Sequence, residues 1–307
     1  MRVAAIDLGT NTTRLLVGEV ADGRVQPLVR RSTITRLGED VDARRRLLPL
    51  PIARVRNCLS DYRRELEALG AQRTLAVATS AVRDAENGEA FLGEVEWSYG
   101  FTTRLLSGED EADLTRRGVG EVRDGTVVID VGGGSTELVS SSQRVCTNLG
   151  SVRLTERFLS SDPPTPGELA DMSNAIRAVL SEHELTATAG VGVSGTVTSL
   201  ATLDLGLLEY DSERVNGHRL REAAVLAQAE RLAAMPLAKR REVPGLEPER
   251  APVIVAGAAI LLATMWYLGL DEIEVSERDL LDGAALEAAQ LPEPVEGDAP
   301  PGAYTCC

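Results

Sequence analysis

Two carboxylates flank a run of glycines and hydroxyls in Val127–Val139, which reads VVIDVGGGSTELV. Asp130 stands just before Gly132, Gly133 and Gly134, and Glu137 follows Ser135 and Thr136. Glycines there let the backbone take positive φ and let a ligand reach the main chain without meeting a Cβ. Successive N–H groups in such a turn converge into an anion-binding nest. Paired carboxylates beside it suit a hard divalent cation. The chemistry on offer is that of a phosphate carrying a metal ion. A glycine-rich β-hairpin with no ligand accounts for the triplet equally well when it is taken alone.

The opening of the chain repeats the pattern. Ile6-Asp7-Leu8-Gly9-Thr10-Asn11-Thr12-Thr13-Arg14-Leu15 lies on Ile129-Asp130-Val131-Gly132-Gly133-Gly134-Ser135-Thr136-Glu137-Leu138 without a gap. Ile, Asp, Gly, Thr and Leu coincide, and Thr12 faces Ser135. Two strand–Asp–Gly–turn–strand units half a chain apart point to a duplicated fold, each lobe offering a phosphate-binding hairpin. A third turn of this kind, Ser194-Gly195-Thr196, follows Val191-Gly192-Val193. At a strand-to-helix junction it presents helix N-terminal N–H groups to an anion; Ser194 as a plain N-cap is the competing account. In Ser107-Gly108-Glu109-Asp110-Glu111-Ala112 the acids fall in a first helical turn, where they complement the helix dipole, and capping alone would explain Glu111.

The elements that must position these residues alternate in type. Strands are expected at Val3–Ile6, Arg14–Val20, Val25–Thr35, Arg73–Ala78, Phe101–Leu106, Val127–Ile129 and Arg144–Asn148, with Asp22-Gly23 as a hairpin turn. Helices are expected from Pro51 to Leu69, over Ala85–Val95, to about Arg117 after Ser107, from Gly150, from Pro166 to His183, over Leu220–Ala234, over Val253–Leu268 and over Asp279–Ala289. Glu272–Val275 reads as a short edge strand. The division falls at 1–122 and 123–290, with the last helix a candidate to pack back on the first lobe, and 291–307 reads as a disordered tail rich in Pro, Glu, Gly and Ala.

Composition removes several classes. The chain has 32 basic and 47 acidic residues, a net charge of −15, which argues against a nucleic-acid surface. It leaves room for an anionic substrate in a local pocket, and the run Arg44-Arg45-Arg46 is either a solvated face or a guide for an anionic chain. Cys58, Cys146, Cys306 and Cys307 have no zinc spacing, so a reduced, cytoplasmic chain is the simple reading. The opening MRVAAIDLG lacks signal-peptide features, and the apolar Val253–Leu270 reads as a buried helix and not a membrane span. His183 and His218 form no triad with a nucleophile, and His218 reads as a turn residue.

Taken in order, these motifs resemble the exopolyphosphatase / guanosine pentaphosphate phosphatase family. The resemblance rests on Ala5–Thr12, on Ala78-Thr79-Ser80-Ala81-Val82-Arg83-Asp84-Ala85 with Asn87, on Ser107–Ala112, on Ile129–Leu138, on Ser194–Thr196 and on Val253–Ala258. It implies an α/β chain with the duplicated actin-like ATPase fold (ribonuclease H-like, shared with sugar kinases and heat-shock chaperones), two lobes around a cleft. It implies metal-dependent release of orthophosphate from the end of inorganic polyphosphate. Guanosine pentaphosphate is the alternative substrate, a sugar or acetate kinase the other reaction class, and a polyphosphate or alarmone sensor the non-catalytic one. Glu111 takes the place of the family's general base, and Glu137 is set with it among the catalytic residues. Gly9, Thr10, Asn11, Thr12, Arg83, Gly132, Gly133, Gly134, Ser135, Ser194, Gly195 and Thr196 would bind phosphates. Asp7, Asp130 and Glu137 would hold Mg²⁺ or Mn²⁺. The implied partners are polyphosphate or guanosine penta- or tetraphosphate, with neither nucleic acid nor membrane, and a homodimer is a candidate assembly. Two positions depart from the family. Pro252 stands where Arg-Ala-Asp would end, and Asp279-Leu280-Leu281-Asp282-Gly283 replaces Gly-Leu-Arg-Glu-Gly, removing one basic contact.

Overall fold

The computed structural model describes residues 1–292 of the 307. Most of the tail expected from 291 therefore lies outside the described residues, as do Cys306 and Cys307. The chain divides into two compact units, Met1–Val119 together with the segment from Leu280, and Gly120–Asp279.

The first unit is built on β1 (Arg2–Leu8), β2 (Thr12–Ala21), β3 (Arg24–Ile34), β4 (Arg73–Ala78) and β5 (Thr102–Leu105), in the order β3-β2-β1-β4-β5. β1 pairs antiparallel with β2 and parallel with β4, and β4 pairs parallel with β5. Asp22 and Gly23 both take positive φ, 50° and 70°, and join Ala21 to Arg24. That is the type I′ turn whose twist matches the strands it connects. β1 is apolar on both faces because helices cover both. Ile6, Leu8 and Leu15 meet Leu59 and Tyr62 of the helix Pro49–Ala68 on one side. Val3, Ala5 and Leu16 meet Leu114, Leu280, Leu281 and Ala284 on the other. The helix expected from Pro51 starts at Pro49, which is the proline that takes the first-turn position.

The second unit contains β6 (Thr126–Val131), β7 (Thr136–Val139), β8 (Arg144–Thr147), β9 (Ala189–Val193), β10 (Arg219–Arg221) and β11 (Glu272–Val275), in the order β10-β11-β9-β6-β7-β8. β6 pairs antiparallel with β7 and parallel with β9, and β9 pairs parallel with β11. The senses and order match those of the first unit strand for strand, with β10 added at one edge. Glu272–Val275, expected at the edge, is thus covered by β10. Two copies of three antiparallel strands followed by two parallel ones make the duplicated actin-like ATPase fold. The apolar segment after Val253 is the helix Ile254–Leu268, whose buried side chains fill the core of this unit. No helix among the described residues is long and apolar enough to cross a membrane.

The last helix, Leu280–Ala288, belongs to the first unit. Asp282 is buried and its Oδ1 accepts from Arg30 Nη2 at 2.6 Å. Leu281, at the position where the family pattern has Arg, is buried as well, so no basic side chain is offered there. A Cβ on Gly283 would stand 2.0 Å from the Leu114 carbonyl oxygen of the neighbouring helix. Gly283→Ala must push two helices apart, and overpacking of this kind costs about 1–3 kcal/mol. A lower urea midpoint is expected, and an unchanged one would show that the helices are not in that contact.

Candidate functional site

In the first unit the turn Gly9–Thr12 joins β1 to β2. The Gly9 N–H donates to the Thr12 carbonyl at 3.1 Å, and Asp7 faces Arg14 across the strands. In the second unit the Gly132 N–H donates to the Ser135 carbonyl at 3.0 Å, and Asp130 faces Glu137. The repeat read from the sequence is therefore a repeat of hydrogen bonds and register. None of Gly132, Gly133 and Gly134 takes positive φ, contrary to the expectation, and neither does Gly9. Space is the constraint instead: a Cβ would clash with Thr12 O at 2.8 Å at Gly9 and would crowd Ser135 O at 3.1 Å at Gly132.

Carbonyls decide where the amides point. Gly132 O accepts from Ser151 N at 3.0 Å, and Gly133 O accepts from Val152 N at 2.8 Å. Gly134 O accepts from Arg153 Nε at 2.9 Å. These donors open the helix Ser151–Phe158, so the loop supplies acceptors that the helix start needs. A trans peptide is planar, and its N–H points opposite to its C=O. Three successive N–H groups, those of Gly133, Gly134 and Ser135, are thereby turned to the other side of the loop as a nest. In the first unit Thr10 O accepts from Gly38 N at 2.8 Å, and Asn11 O accepts from Thr35 N at 3.1 Å and Arg36 N at 2.9 Å. The N–H groups of Asn11 and Thr12 are turned outward by the same device. The buried Oδ1 of Asn11 has no hydrogen-bond partner in the protein, and a buried polar atom in that state calls for a ligand or water.

Glu111 lies in the first turn of the helix Gly108–Val119 and is buried. The capping there is done by its neighbours. Asp110 N donates to Ser107 Oγ and Ser107 N to Asp110 Oδ2, both at 3.1 Å, a reciprocal box. The Ser107 hydroxyl first, then the Ser107 N–H and Arg104, hold the Asp110 carboxyl below the usual carboxylate range against the effect of burial. Glu111 instead receives Arg83 Nη1 at 2.7 Å, and the same nitrogen donates to Leu106 O at 2.7 Å. Arg83, expected on a phosphate, is fastened to the carboxylate it would work beside. Glu111 is sealed while Arg83 keeps part of its surface exposed, so removing the arginine takes this counter-charge from a buried carboxylate.

Ser194 does not cap its helix. It takes φ 73°, and its Oγ donates to Val131 O at 3.0 Å, with Thr196 Oγ1 joining at 3.2 Å. Both hydroxyls tie the helix Ser194–Asp204 to the end of β6. A non-glycine residue at such a φ carries strain that clusters at functional sites. Gly195 is covered by a guanidinium: a Cβ there would meet Arg250 Nη1 at 2.3 Å. Arg250 is buried and pairs with Glu247 at 2.8 Å.

Sequence reasoning missed Arg250, Gly38, Gly150 and Ser80, whose Oγ lies 2.8 Å from Thr10 Oγ1. Their signal is spatial, since each touches a motif residue distant in sequence. His218, read as a turn residue, has its Nε2 2.7 Å from Asp204 Oδ2. Among the described residues no cluster of three or more metal-ligating side chains exists. Asp130 with Glu137 still fits a cation of the Mg²⁺ kind, which is held by one or two carboxylates plus phosphates and water. Asp7 fits less well, because Arg14 Nη2 sits 2.8 Å from its Oδ2.

Comparison with known proteins places the geometry. The sequence profile of the Ppx/GppA phosphatase family matches residues 16–291. Exopolyphosphatase 2 of Mycobacterium tuberculosis is 38% identical over 314 residues, covering 94% of this chain and 98% of that one. The crystal structure of an exopolyphosphatase-like protein superposes with a TM-score of 0.88 at 32% identity, covering 94% of this chain and 99% of the other. The Aquifex aeolicus member of the Ppx/GppA family gives 0.79 at 30% identity, covering 94% and 98%.

Gly150 offers a test of the nest. A Cβ there would lie 2.3 Å from Gly133 O and from the Gly134 carbonyl carbon. Gly150→Ala should displace the loop and weaken pyrophosphate binding by about fivefold or more, the equivalent of the lower end of an overpacking penalty of about 1 kcal/mol. Titration calorimetry would read this, and wild-type affinity in the variant would remove the loop from phosphate binding.

Proposed function

The chain belongs to the Ppx/GppA phosphatase family, and we propose that it is an exopolyphosphatase, hydrolysing the terminal phosphoanhydride of inorganic polyphosphate. The observation that carries this is the placement of Glu111: a buried carboxylate, relieved of capping duty by Ser107 and Asp110, aligned by Arg83 and in the same unit as an outward-facing amide turn.

Phosphoryl transfer asks a protein for positioning and charge neutralisation more than for covalent chemistry. The amides of Asn11 and Thr12, with Thr10 and Thr12 hydroxyls, bind oxygens of the phosphate chain. In the second unit the amides of Gly133, Gly134 and Ser135 are likewise phosphate ligands, and the start of the helix Ser194–Asp204, with Arg250 packed on Gly195, adds positive potential there. Glu111 accepts a proton from water as the water oxygen bonds to the terminal phosphorus. The bridging oxygen leaves with the shortened chain, and orthophosphate is released. Arg83 keeps Glu111 in place and, by the resemblance, also reaches a phosphate oxygen. Asp130 and Glu137 would hold Mg²⁺ or Mn²⁺, which when bound neutralises phosphate charge. A cytoplasmic setting fits the buried free thiol of Cys58.

The test is phosphate release from polyphosphate with Mg²⁺, beside guanosine pentaphosphate at equal concentration of phosphate ends. Release from polyphosphate is expected to dominate. Glu111→Gln should lower turnover by about 10²–10⁴-fold while leaving substrate affinity largely intact. Preference for the pentaphosphate would reassign the substrate. Tight binding with no release would make the chain a sensor, and equal activity in the variant would remove Glu111 from the role.

A further inference from the structure

The parallel strands β6, β9 and β11 of the second sheet are neighbours in that order and end along one edge. In open α/β sheets ligands gather outside the carboxyl ends of such strands. There β6 leads to the amides of Gly133, Gly134 and Ser135, β9 leads to Ser194 and Gly195, and β11 leads to Arg278. Val275 is level with Gly192, and Ser276 N donates to Gly192 O at 2.9 Å. The chain thus leaves β11 beside the residues that enter the Ser194 turn. Ser276 Oγ accepts from Arg278 N at 3.0 Å and donates to Arg278 O at 2.9 Å, which fixes the backbone of the arginine there. Arg278 is half-buried, and its guanidinium lies over Gly120, with Nη1 and Nη2 each 3.8 Å from the point where a Cβ would stand. Its Nε is buried without a hydrogen-bond partner in the protein, and among the described residues no carboxylate pairs with the guanidinium. Two fully buried arginines of this unit are engaged instead: Arg240 donates to three carbonyls, and Arg250 pairs with Glu247.

We infer that Arg278 binds a phosphate group of polyphosphate farther along the chain than those held at the Gly133–Ser135 amides. This rests on the proposed function. A guanidinium is charged at every relevant pH, and its planar fork fits two oxygens of one phosphate. Partial burial without a counter-charge in the protein makes an anion at its terminal nitrogens more favourable than at a solvated arginine. Neighbouring strands stand about 4.8 Å apart, so β11 lies roughly 10 Å from β6 along the edge, with the Ser194 turn between them. A chain held at the β6 amides crosses that turn before it meets Arg278. Pyrophosphate is too short to touch both. Arg278 therefore adds affinity for long chains and none for the shortest one.

The test is calorimetric titration of the Glu111→Gln protein, which should leave the chain uncut, with pyrophosphate and with a medium-chain linear polyphosphate, both with Mg²⁺. Arg278 is intact in one protein and replaced by Gln in the other. With Arg278 intact the long chain should bind more tightly than pyrophosphate. Arg278→Gln should weaken the long chain by about tenfold and leave pyrophosphate unchanged, and Arg278→Lys, which keeps the charge, should recover part of the loss. An equal loss for both ligands would make Arg278 a support of the fold and overturn the inference. Tight long-chain binding that Arg278→Gln does not weaken would overturn it as well, while leaving the polyphosphate reading in place. If the protein with Arg278 intact binds the long chain no better than pyrophosphate, the polyphosphate reading fails and the role of Arg278 with it. Should Arg278→Gln not fold, Arg278→Met, which keeps an apolar stem over Gly120, is measured against the same two expectations.

Discussion

A planar peptide cannot turn its carbonyl one way without turning its N–H the other, and the two turns of this protein depend on that constraint. Each turn has its carbonyls engaged from behind. The partners are the start of the helix Ser151–Phe158 and Arg153 in one unit, and Gly38, Thr35 and Arg36 in the other. What is left facing forward is a row of amides. The glycines serve this arrangement by removing Cβ atoms that would strike the turn, and Gly150 serves it from outside the turn by letting a helix start come within contact of Gly133 and Gly134.

Around that shared device the copies have diverged in what they add. The first unit adds Glu111 on a helix whose cap is completed by Ser107 and Asp110, together with Arg83, which bridges Glu111 and the Leu106 carbonyl. The second adds the Asp130–Glu137 pair and the strained Ser194 junction, with Arg250 lying on Gly195. Packing supports the same division of labour. The last helix closes one face of the first sheet through Leu280, Leu281 and Ala284, and Gly283 lets it approach the helix that carries Glu111.

Much of this was legible in the sequence because it is local. Asp22-Gly23 announces its turn, the strands around Asp7 and Asp130 announce theirs, and the gapless alignment of the two stretches announces the duplication. Periodicity placed most helices to within a few residues. The failures are of another kind. The glycines at 132–134 promise positive φ, yet none takes it, and a Cβ on Gly132 would instead crowd Ser135 O, a distance that no propensity reports. Ser194 reads from the sequence as a cap or an anion site, and its hydroxyl holds Val131 O, a strand end far back in the chain. Asp7 reads as a metal ligand near Asp130 and Glu137, and what the sequence does not show is the guanidinium of Arg14 on its Oδ2. Gly38, Gly150 and Arg250 act through contacts that only the folded chain makes.

The central claim is that the outward-turned amides of each unit are phosphate ligands, those of Asn11 and Thr12 in the first unit and those of Gly133, Gly134 and Ser135 in the second. It is tested most directly by the ¹H–¹⁵N spectrum of the Glu111→Gln protein titrated with tripolyphosphate and Mg²⁺. The expected result is a saturable downfield shift of these amide protons. Saturable binding that leaves them unmoved and shifts other amides would contradict the account.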